Sequence, residues 1–457
     1  MEISYSEKQK QQQQQQHQHI QNDTAPQQVQ EKNINTSSRT GLNNYGNNCF
    51  LNAAIQCLAV SPFIHMFIEN YKEDDIKLLA IINKYKLNSL GMSSIPNAIN
   101  KLLLDNPDII TPDKTILLYL ADHCYDIFIY LYFKNIIQTL HTRNVGIYTC
   151  NKLISVAQEA TQHNTRYAGF SHLFAGTQND PHEFMAFLLD KIHNAKTTTV
   201  NMETSQTQTQ LYAQQSKYVQ AYLTHFKLRY KNDYSLFVKN FYYYILSCVI
   251  CDKCKVESIS VNPGDIMCVA IPPLQPQPIN FDNAEKVITP ITLNECINDM
   301  FNIERIEYKC EGCGNTENNI INKKLLTPPK TLIIKLKRYI QHNNMLIKND
   351  TFIQYPQTLD LKSNYCGSTI HTYELYGIIN HSGSLNRGHY YSFIKNNTKD
   401  YSKTNTNTNT GSSLSLSLIN DFQDMWFLCN DSITKQIDIK EVLSSKEAYI
   451  LFYYSKN

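Results

Sequence analysis

Glycine and proline are scarce in this chain, 14 and 15 among 457 residues, which excludes collagen-like and proline-rich architectures. Long apolar runs are missing as well. The densest stretch, Phe241 to Ile250, is well short of the roughly 18 residues that a membrane-crossing helix needs. The first residues, MEISYSEKQKQQQQQQ, have no apolar core and do not read as a secretory signal. Nor is there an excess of one charge: 42 Lys and Arg face 40 Asp and Glu, a formal +2, whereas a nucleic-acid binder normally carries a basic face. No internal repeat is visible, so solenoids are out. The expectation is a soluble intracellular protein without a direct nucleic-acid or membrane partner.

What is present is a large apolar and aromatic complement, 42% hydrophobic with 19 Phe and 30 Tyr, ample for a sizeable core. The cysteines number 13, an odd count. In a long chain without a secretory signal they point to metal ligands, catalytic groups or buried thiols before disulfides. Three segments are low in complexity. Residues 1–38 are Gln-rich and cannot bury enough apolar area to offset chain entropy, so disorder is expected there. Stretches at about 197–220 and 396–417 interrupt periodic sequence and read as surface insertions.

Between these segments the pattern divides. Leu51, Ala54, Ile55 and Leu58 share one face of a helix starting near Cys49. Asp180-Pro181-His182-Glu183 opens a second helix with a cap, a first-turn proline and an acid three residues on. Its inner face is Phe184, Phe187, Leu188 and Ile192. From Phe237 onward β-branched and aromatic runs dominate: Thr331 to Ile340, Tyr373 to Asn380, His389 to Ile394 and Ala448 to Tyr454. A helical half followed by a mostly antiparallel half gives an α+β fold.

Four constellations carry chemistry. The first, Gly41-Leu-Asn-Asn-Tyr-Gly-Asn-Asn-Cys49, delivers a Cys to a helix N-terminus, where free N–H groups and the helix dipole favour a thiolate. Asn44 could donate its amide to a developing oxyanion. A small buried Cys at a helix start would give the same box. The second, His381-Ser-Gly-Ser-Leu-Asn-Arg-Gly-His389, sets His389 at the start of a strand; a lone His there is equally a structural residue. The third, Asn430-Asp431-Ser432, follows another strand and is an ordinary turn by itself. Taken together, the three supply a nucleophile, a base and a group to orient the base. The fourth pairs Cys251-Asp-Lys-Cys254 with Cys310-Glu-Gly-Cys313, two C-x-x-C knuckles separated by residues 255–309, 55 in all. Four thiolates suit a closed, structural Zn2+ site at the tips of paired strands. Cys248 stands outside it.

These elements, in this order, resemble the ubiquitin-specific protease family of papain-like cysteine peptidases. The resemblance runs from about Thr40 to Tyr454 through GLNNYGNNCFLNAAIQCL, Gln178-Asn-Asp-Pro-His-Glu-Phe184, Tyr355-Pro356 with Leu359-Asp360, and YELYGIINHSGSLNRGHYYSFIKN. It implies Cys49 as nucleophile, His389 as general base, Asn430 as the orienting residue, Asp431 as a polar helper and Asn44 as oxyanion donor. It also implies that Asp180 meets the basic tail of ubiquitin, as well as capping its helix, and that His381 and Tyr390 line the tail channel. The fold implied is a thumb at about 40–230, zinc-tipped fingers at about 231–330 and a palm at about 331–457. The partners implied are ubiquitin and ubiquitinated proteins.

Within the family, KCKVESISVNPGDIMCVAIP, KRYIQHNNMLIKNDTFIQYPQTLDL and WFLCNDSITKQIDIKEVLSSKEAYILFYY resemble the histone-deubiquitinating subunits of SAGA coactivators. That implies a nuclear enzyme acting on monoubiquitinated histone H2B in a multi-subunit chromatin module. Those relatives carry a Cys/His-rich N-terminal zinc domain, whereas the residues that precede Thr40 here are Gln-rich. Asn48 stands where Thr is usual before the nucleophile, Pro181 where a small residue is common, and Cys429 where Phe or Tyr often precedes the Asn-Asp pair. No reacting group is lost. A ubiquitin-binding scaffold and a peptidase for a ubiquitin-like modifier are the alternatives.

Overall fold

The apolar face read at Leu51, Ala54, Ile55 and Leu58 lies in a helix, Cys49–Ala59, that is buried on every side. Such a helix belongs inside a domain and not on its surface. The structure, a computed structural model, describes residues 39–141, 146–198, 217–273, 290–342, 345–361, 364, 371–384, 387–396 and 425–456. The Gln-rich tail and most of both low-complexity stretches fall outside these residues.

A seven-strand path forms the central sheet, in the order Ile433–Ile437, Trp426–Asn430, Arg387–Lys395, Thr372–Ser384, Ala448–Ser455, Thr331–Lys337 and Ile266–Ala270. Thr358–Asp360 adds to Thr372–Ser384 from the side. Neighbours are antiparallel except the last pair, where Ile266–Ala270 runs parallel to Thr331–Lys337. The inner strands are buried on both faces, which is why they read as continuous apolar runs. Ile450 and Phe452 face the helical side, while Leu451 and Tyr453 face the opposite core.

The Cys49–Ala59 helix lies between that sheet and helix Pro181–Asn194. Phe50 meets Phe184 edge to face at 6.0 Å between centroids. A Cβ on Gly377 would stand 3.3 Å from Cys57 Sγ, so glycine lets the sheet close up against the last turn of the helix. The helix at 181 forms as read: Asp180 caps it by accepting from His182 N at 2.9 Å, and Phe184, Phe187, Leu188 and Ile192 are buried. Glu183, however, does not close a capping box; it pairs with His172 Nε2 at 2.9 Å.

Two strand readings need correction. The run from Phe237 begins helically, in Leu236–Phe241 capped by Ser235, and extends only from Tyr243. Thr331 to Ile340 is also broken. Strand Thr331–Lys337 ends at Arg338, whose buried guanidinium donates to the carbonyls of Ala448, Asn349 and Thr351 at 2.7–2.9 Å. Tyr339–His342 then pairs with Met345–Lys348 in a separate hairpin.

A second, four-stranded antiparallel sheet has the order Glu257–Gly264, Tyr243–Ile250, Asn319–Thr327, Glu304–Ile306. Both C-x-x-C knuckles lie in its connecting turns. Among the described residues no single helix is long and apolar enough to cross a membrane. The architecture is the expected α+β one, with a helical N-terminal part, a sheet-rich C-terminal part and a knuckle-bearing sheet between them in sequence.

Candidate active site

Cys49 is the first residue of its helix and is buried, 4% exposed. Its backbone N–H belongs to the first turn, where no intrahelical acceptor exists. The preceding loop is shaped by Asn44, whose Oδ1 accepts from Gly46 N at 3.1 Å and Asn48 N at 3.0 Å. Gly46 has φ +112° and Asn47 φ +47°, left-handed backbone that favours Gly and Asn. Asn47 Nδ2 donates to Gly176 O at 2.9 Å and fastens the loop to the segment before the Asp180 helix.

His389 enters from strand Arg387–Lys395. Its Nε2 lies 2.6 Å from Asn430 Oδ1, at the end of strand Trp426–Asn430. An amide oxygen accepts only, so it fixes the proton on Nε2 and leaves Nδ1 as the base. The other partner is the Cys49 thiol. That hydrogen bond, more than the added contacts with Asn430 and Asp431 and against the opposing effect of burial, raises the His389 pKa to about 9. A base set against a thiol is placed to take its proton for nucleophilic attack.

Asp431 stands behind this pair. Its Oδ2 accepts from Asn44 Nδ2 at 3.0 Å and is 3.9 Å from His389 Nε2, while Oδ1 accepts from Asn52 Nδ2 at 2.8 Å. Its carbonyl accepts from Leu42 N at 2.8 Å. One carboxylate thus joins the loop before the Cys, the Cys helix and the turn after Asn430. Gly41 lets the strands meet there, because a Cβ would lie 2.3 Å from Ser432 O. Asn44 spends one amide proton on Asp431, which leaves the other for an oxyanion.

Asn52 was missed by sequence reasoning. The signal was a polar residue three positions after the Cys on a helix whose one other polar residue is Gln56. It is 2% exposed and donates also to Asn43 O at 3.2 Å. The role of Gln178 was also missed, although its motif was noted. Its Nε2 donates to Gly388 O, and its Oε1 accepts from Gly388 N at 3.2 Å.

The other candidate residues sit beside the site. Asp180 Oδ1 caps its helix, while Oδ2 accepts from Lys335 Nζ at 2.6 Å and Tyr449 OH at 2.7 Å. His381 and Tyr390 are buried, 1% and 5% exposed, with ring centroids 4.5 Å apart. Tyr339 OH bonds His381 Nδ1 at 3.0 Å, and burial, chiefly, lowers the His381 pKa to about 4.

The knuckles come together away from these residues. The sulfurs of Cys251, Cys254, Cys310 and Cys313 all lie within 4.8 Å of one another. Cys251–Cys313 and Cys254–Cys310 are each 3.6 Å apart. Four thiolates on tetrahedral zinc would stand about 3.8 Å apart. The two turns are built alike: Lys255 N donates to Cys251 O at 3.0 Å and Gly314 N to Cys310 O at 2.8 Å, each donor at positive φ. Cys254 N points at Cys251 Sγ, 3.5 Å away, and this contact first of all lowers the Cys251 thiol pKa. The donor set fits a metal ion and leaves no coordination position open. Cys248 lies outside it, against Glu257.

The model of the ubiquitin carboxyl-terminal hydrolase family matches residues 40–453. The probable ubiquitin carboxyl-terminal hydrolase 8 of Schizosaccharomyces pombe is 24% identical over 283 residues, 61% of this chain and 46% of that protein. Ubiquitin carboxyl-terminal hydrolase 8 of Saccharomyces cerevisiae is 23% identical over 436 residues, 91% of this chain and 70% of that protein. The chain spans about half the length of the first curated relatives it matches. A solved SAGA DUB module, Ubp8/Sgf11/Sus1/Sgf73 bound to monoubiquitin, contains a chain of like fold, with TM-score 0.52 and 20% identity over 97% of this chain and 74% of that one.

Proposed function

The chain belongs to the ubiquitin carboxyl-terminal hydrolase family, and from that premise we propose that it is a thiol-dependent deubiquitinase. It hydrolyses the isopeptide or peptide bond after the C-terminal glycine of ubiquitin. The observation that carries the reading is His389, held by Asn430 Oδ1 at 2.6 Å and set against the Cys49 thiol, which raises the pKa of the ring.

The Cys49 proton passes to His389, and the thiolate sulfur attacks the C-terminal carbonyl carbon of ubiquitin. The oxyanion forms against the Cys49 N–H and the second amide proton of Asn44. As the C–N bond breaks, His389 returns its proton to the departing lysine amine, leaving a thioester on Cys49. Water, deprotonated by His389, then attacks the thioester, and ubiquitin leaves with a free carboxylate while the thiol is restored. Asn430 holds the ring in one tautomer throughout, and Asp431 keeps the Cys loop, the Cys helix and the Asn430 turn in register. Asp180, His381 and Tyr390 shape the approach of the ubiquitin tail. The four knuckle cysteines would hold Zn2+, which would tie the two knuckle turns together and supply no chemistry to the acyl transfer.

The finer proposal is a nuclear, or otherwise cytoplasmic, enzyme that removes ubiquitin from histone H2B with further subunits. Its support is the resemblance of the three sequence stretches to the SAGA subunits.

The test is incubation with ubiquitin carrying a C-terminal electrophile, followed by intact mass and peptide mapping. The expected product is one adduct, on Cys49, absent in His389→Ala. Ubiquitin binding without any adduct would overturn catalysis in favour of a binding scaffold. Ubiquitinated nucleosomes, with and without candidate subunits, test the finer proposal.

A further inference from the structure

The strand pair that carries His389 outruns the sheet on both sides. Thr372–Ser384 and Arg387–Lys395 stay paired to their ends, Ser384 opposite Arg387 and Ser382 opposite His389. Their outer neighbours stop earlier. Ala448–Ser455 pairs only as far as Asn380, and Trp426–Asn430 meets the His389 strand only as far as Ser392. His389 therefore sits on a two-stranded ribbon, and an isolated hairpin is marginal by itself in water.

Each free edge of the ribbon is held by a side chain. In a strand the N–H and C=O of one residue share a side, and alternate residues repeat it. His381 N donates to Glu447 O at 2.9 Å, away from the His389 strand, so the carbonyls of His381 and Gly383 face that outer edge too. Lys348 Nζ donates to both, at 3.0 and 2.9 Å. These are the residues on either side of Ser382, the register partner of His389. On the other strand, the Gln178 amide takes both backbone groups of Gly388.

Lys348 is well placed to act as a brace. Its side chain is 11% exposed and also meets Asp350 at 3.2 Å. It is paired across its hairpin with Tyr339, whose hydroxyl bonds His381 Nδ1. The hairpin thus grips the ribbon at two adjacent points, one an ammonium on main-chain carbonyls. A charged donor holds such acceptors more firmly than a neutral one.

We propose that Lys348 is a positioning residue for His389: its ammonium replaces the missing sheet neighbour at the ribbon's outer edge and holds the imidazole on Cys49. The proposal deepens the deubiquitinase reading and rests on it for the reaction affected, while the placement of His389 can be read without ubiquitin.

Lys348→Met, of similar length and uncharged, is expected to lower kcat for a fluorogenic ubiquitin amide about tenfold and to leave KM within about threefold. Lys348→Arg should restore most of the loss. Two measurements need no ubiquitin. In Lys348→Met the His389 pKa, followed by NMR of ring-labelled histidine, should fall toward its ordinary value, because the thiol contact that raises it is loosened. Alkylation of Cys49 by iodoacetamide at neutral pH, mapped by peptide mass, should slow to a similar degree as kcat. Among the described residues, the ionisable groups facing His389 are Cys49 and Asp431, and neither is altered in this variant. If Lys348→Met does not fold, Lys348→Gln, which keeps a neutral donor, is measured in its place.

Unchanged His389 titration and alkylation in the variant would overturn the proposal, as would a loss confined to KM. A wild-type chain that cleaves no ubiquitin conjugate, yet shows the Lys348-dependent shifts at His389 and Cys49, would sink the deubiquitinase reading and leave the brace standing.

Discussion

His389 Nε2 lies 2.6 Å from Asn430 Oδ1 and 3.9 Å from Asp431 Oδ2, so the amide, not the carboxylate, is the direct partner of the ring. The carboxylate is engaged elsewhere, by Asn44 and Asn52. Asn430→Ala therefore removes one orienting bond that water or Asp431 can partly replace, and kcat should fall on the order of tenfold to a hundredfold. Asp431→Ala unties the Cys loop and the Cys helix together and leaves the buried Asn52 amide short of an acceptor. It should cost more activity than Asn430→Ala and also lower the melting temperature. Steady-state kinetics with calorimetry on both variants would check the order; a larger loss in Asn430→Ala with Asp431→Ala near wild type would reverse the assignment.

The pH behaviour of His389 follows from the same contacts. Its pKa is raised to about 9, and the first cause is the hydrogen bond with Cys49. Cys49→Ala should bring it back toward the ordinary value near 6.5, seen by NMR titration. A group whose folded pKa is raised gives stability that is complete below its unfolded pKa and is lost as pH climbs through the folded one. The stability that His389 owes to Cys49 is thus complete below about pH 6.5 and gone above about pH 9. The melting-temperature difference between wild type and Cys49→Ala should narrow across that window. A His389 pKa unchanged in Cys49→Ala would show that the thiol does not face the ring.

How far the sequence could go is clear from Cys49 and Asn52. The Cys box, the Asp180 cap and the two knuckles are local patterns, each set by a few neighbouring residues, and each forms where the pattern put it. Asn52, Gln178 and Lys348 act through contacts with residues more than 30 positions away: Asp431, Gly388 and His381. Their side chains carry no periodic signal, and only the folded chain shows what they meet. Arg338 is a similar case. Its neighbours read as one strand through Ile340, but a buried guanidinium with three carbonyl partners ends the strand there.

The knuckle cysteines give a prediction about metal. Cys310→Ser removes one of four sulfurs that converge within 4.8 Å. The two knuckle turns should loosen, with one zinc per chain lost by elemental analysis and the melting temperature lowered by several degrees. Activity should fall as a consequence, mainly through KM, since no cysteine of the cluster is among the described partners of Cys49 or His389. Equal metal content and melting temperature in variant and wild type would remove the zinc assignment.

Asp180 offers the sharpest separation of a structural role from a binding one. Its Oδ1 caps the helix, and its Oδ2 is held by Lys335 and Tyr449. If the carboxylate receives a basic tail, that tail must first displace Lys335. Asp180→Asn keeps an oxygen for the cap, because Asn caps about as well as Asp, so the melting temperature should change little. The charge is gone, and KM for ubiquitin substrates should rise. Lys335→Gln should do the reverse: the carboxylate is released and a repelling cation removed, so KM falls about twofold to fivefold, the range expected of a partly exposed ion pair, with kcat little altered. The two variants measured together decide the matter. Opposite shifts in KM identify Asp180 as a substrate contact guarded by Lys335, whereas parallel increases mean that the Asp180–Lys335 pair is itself part of the binding surface.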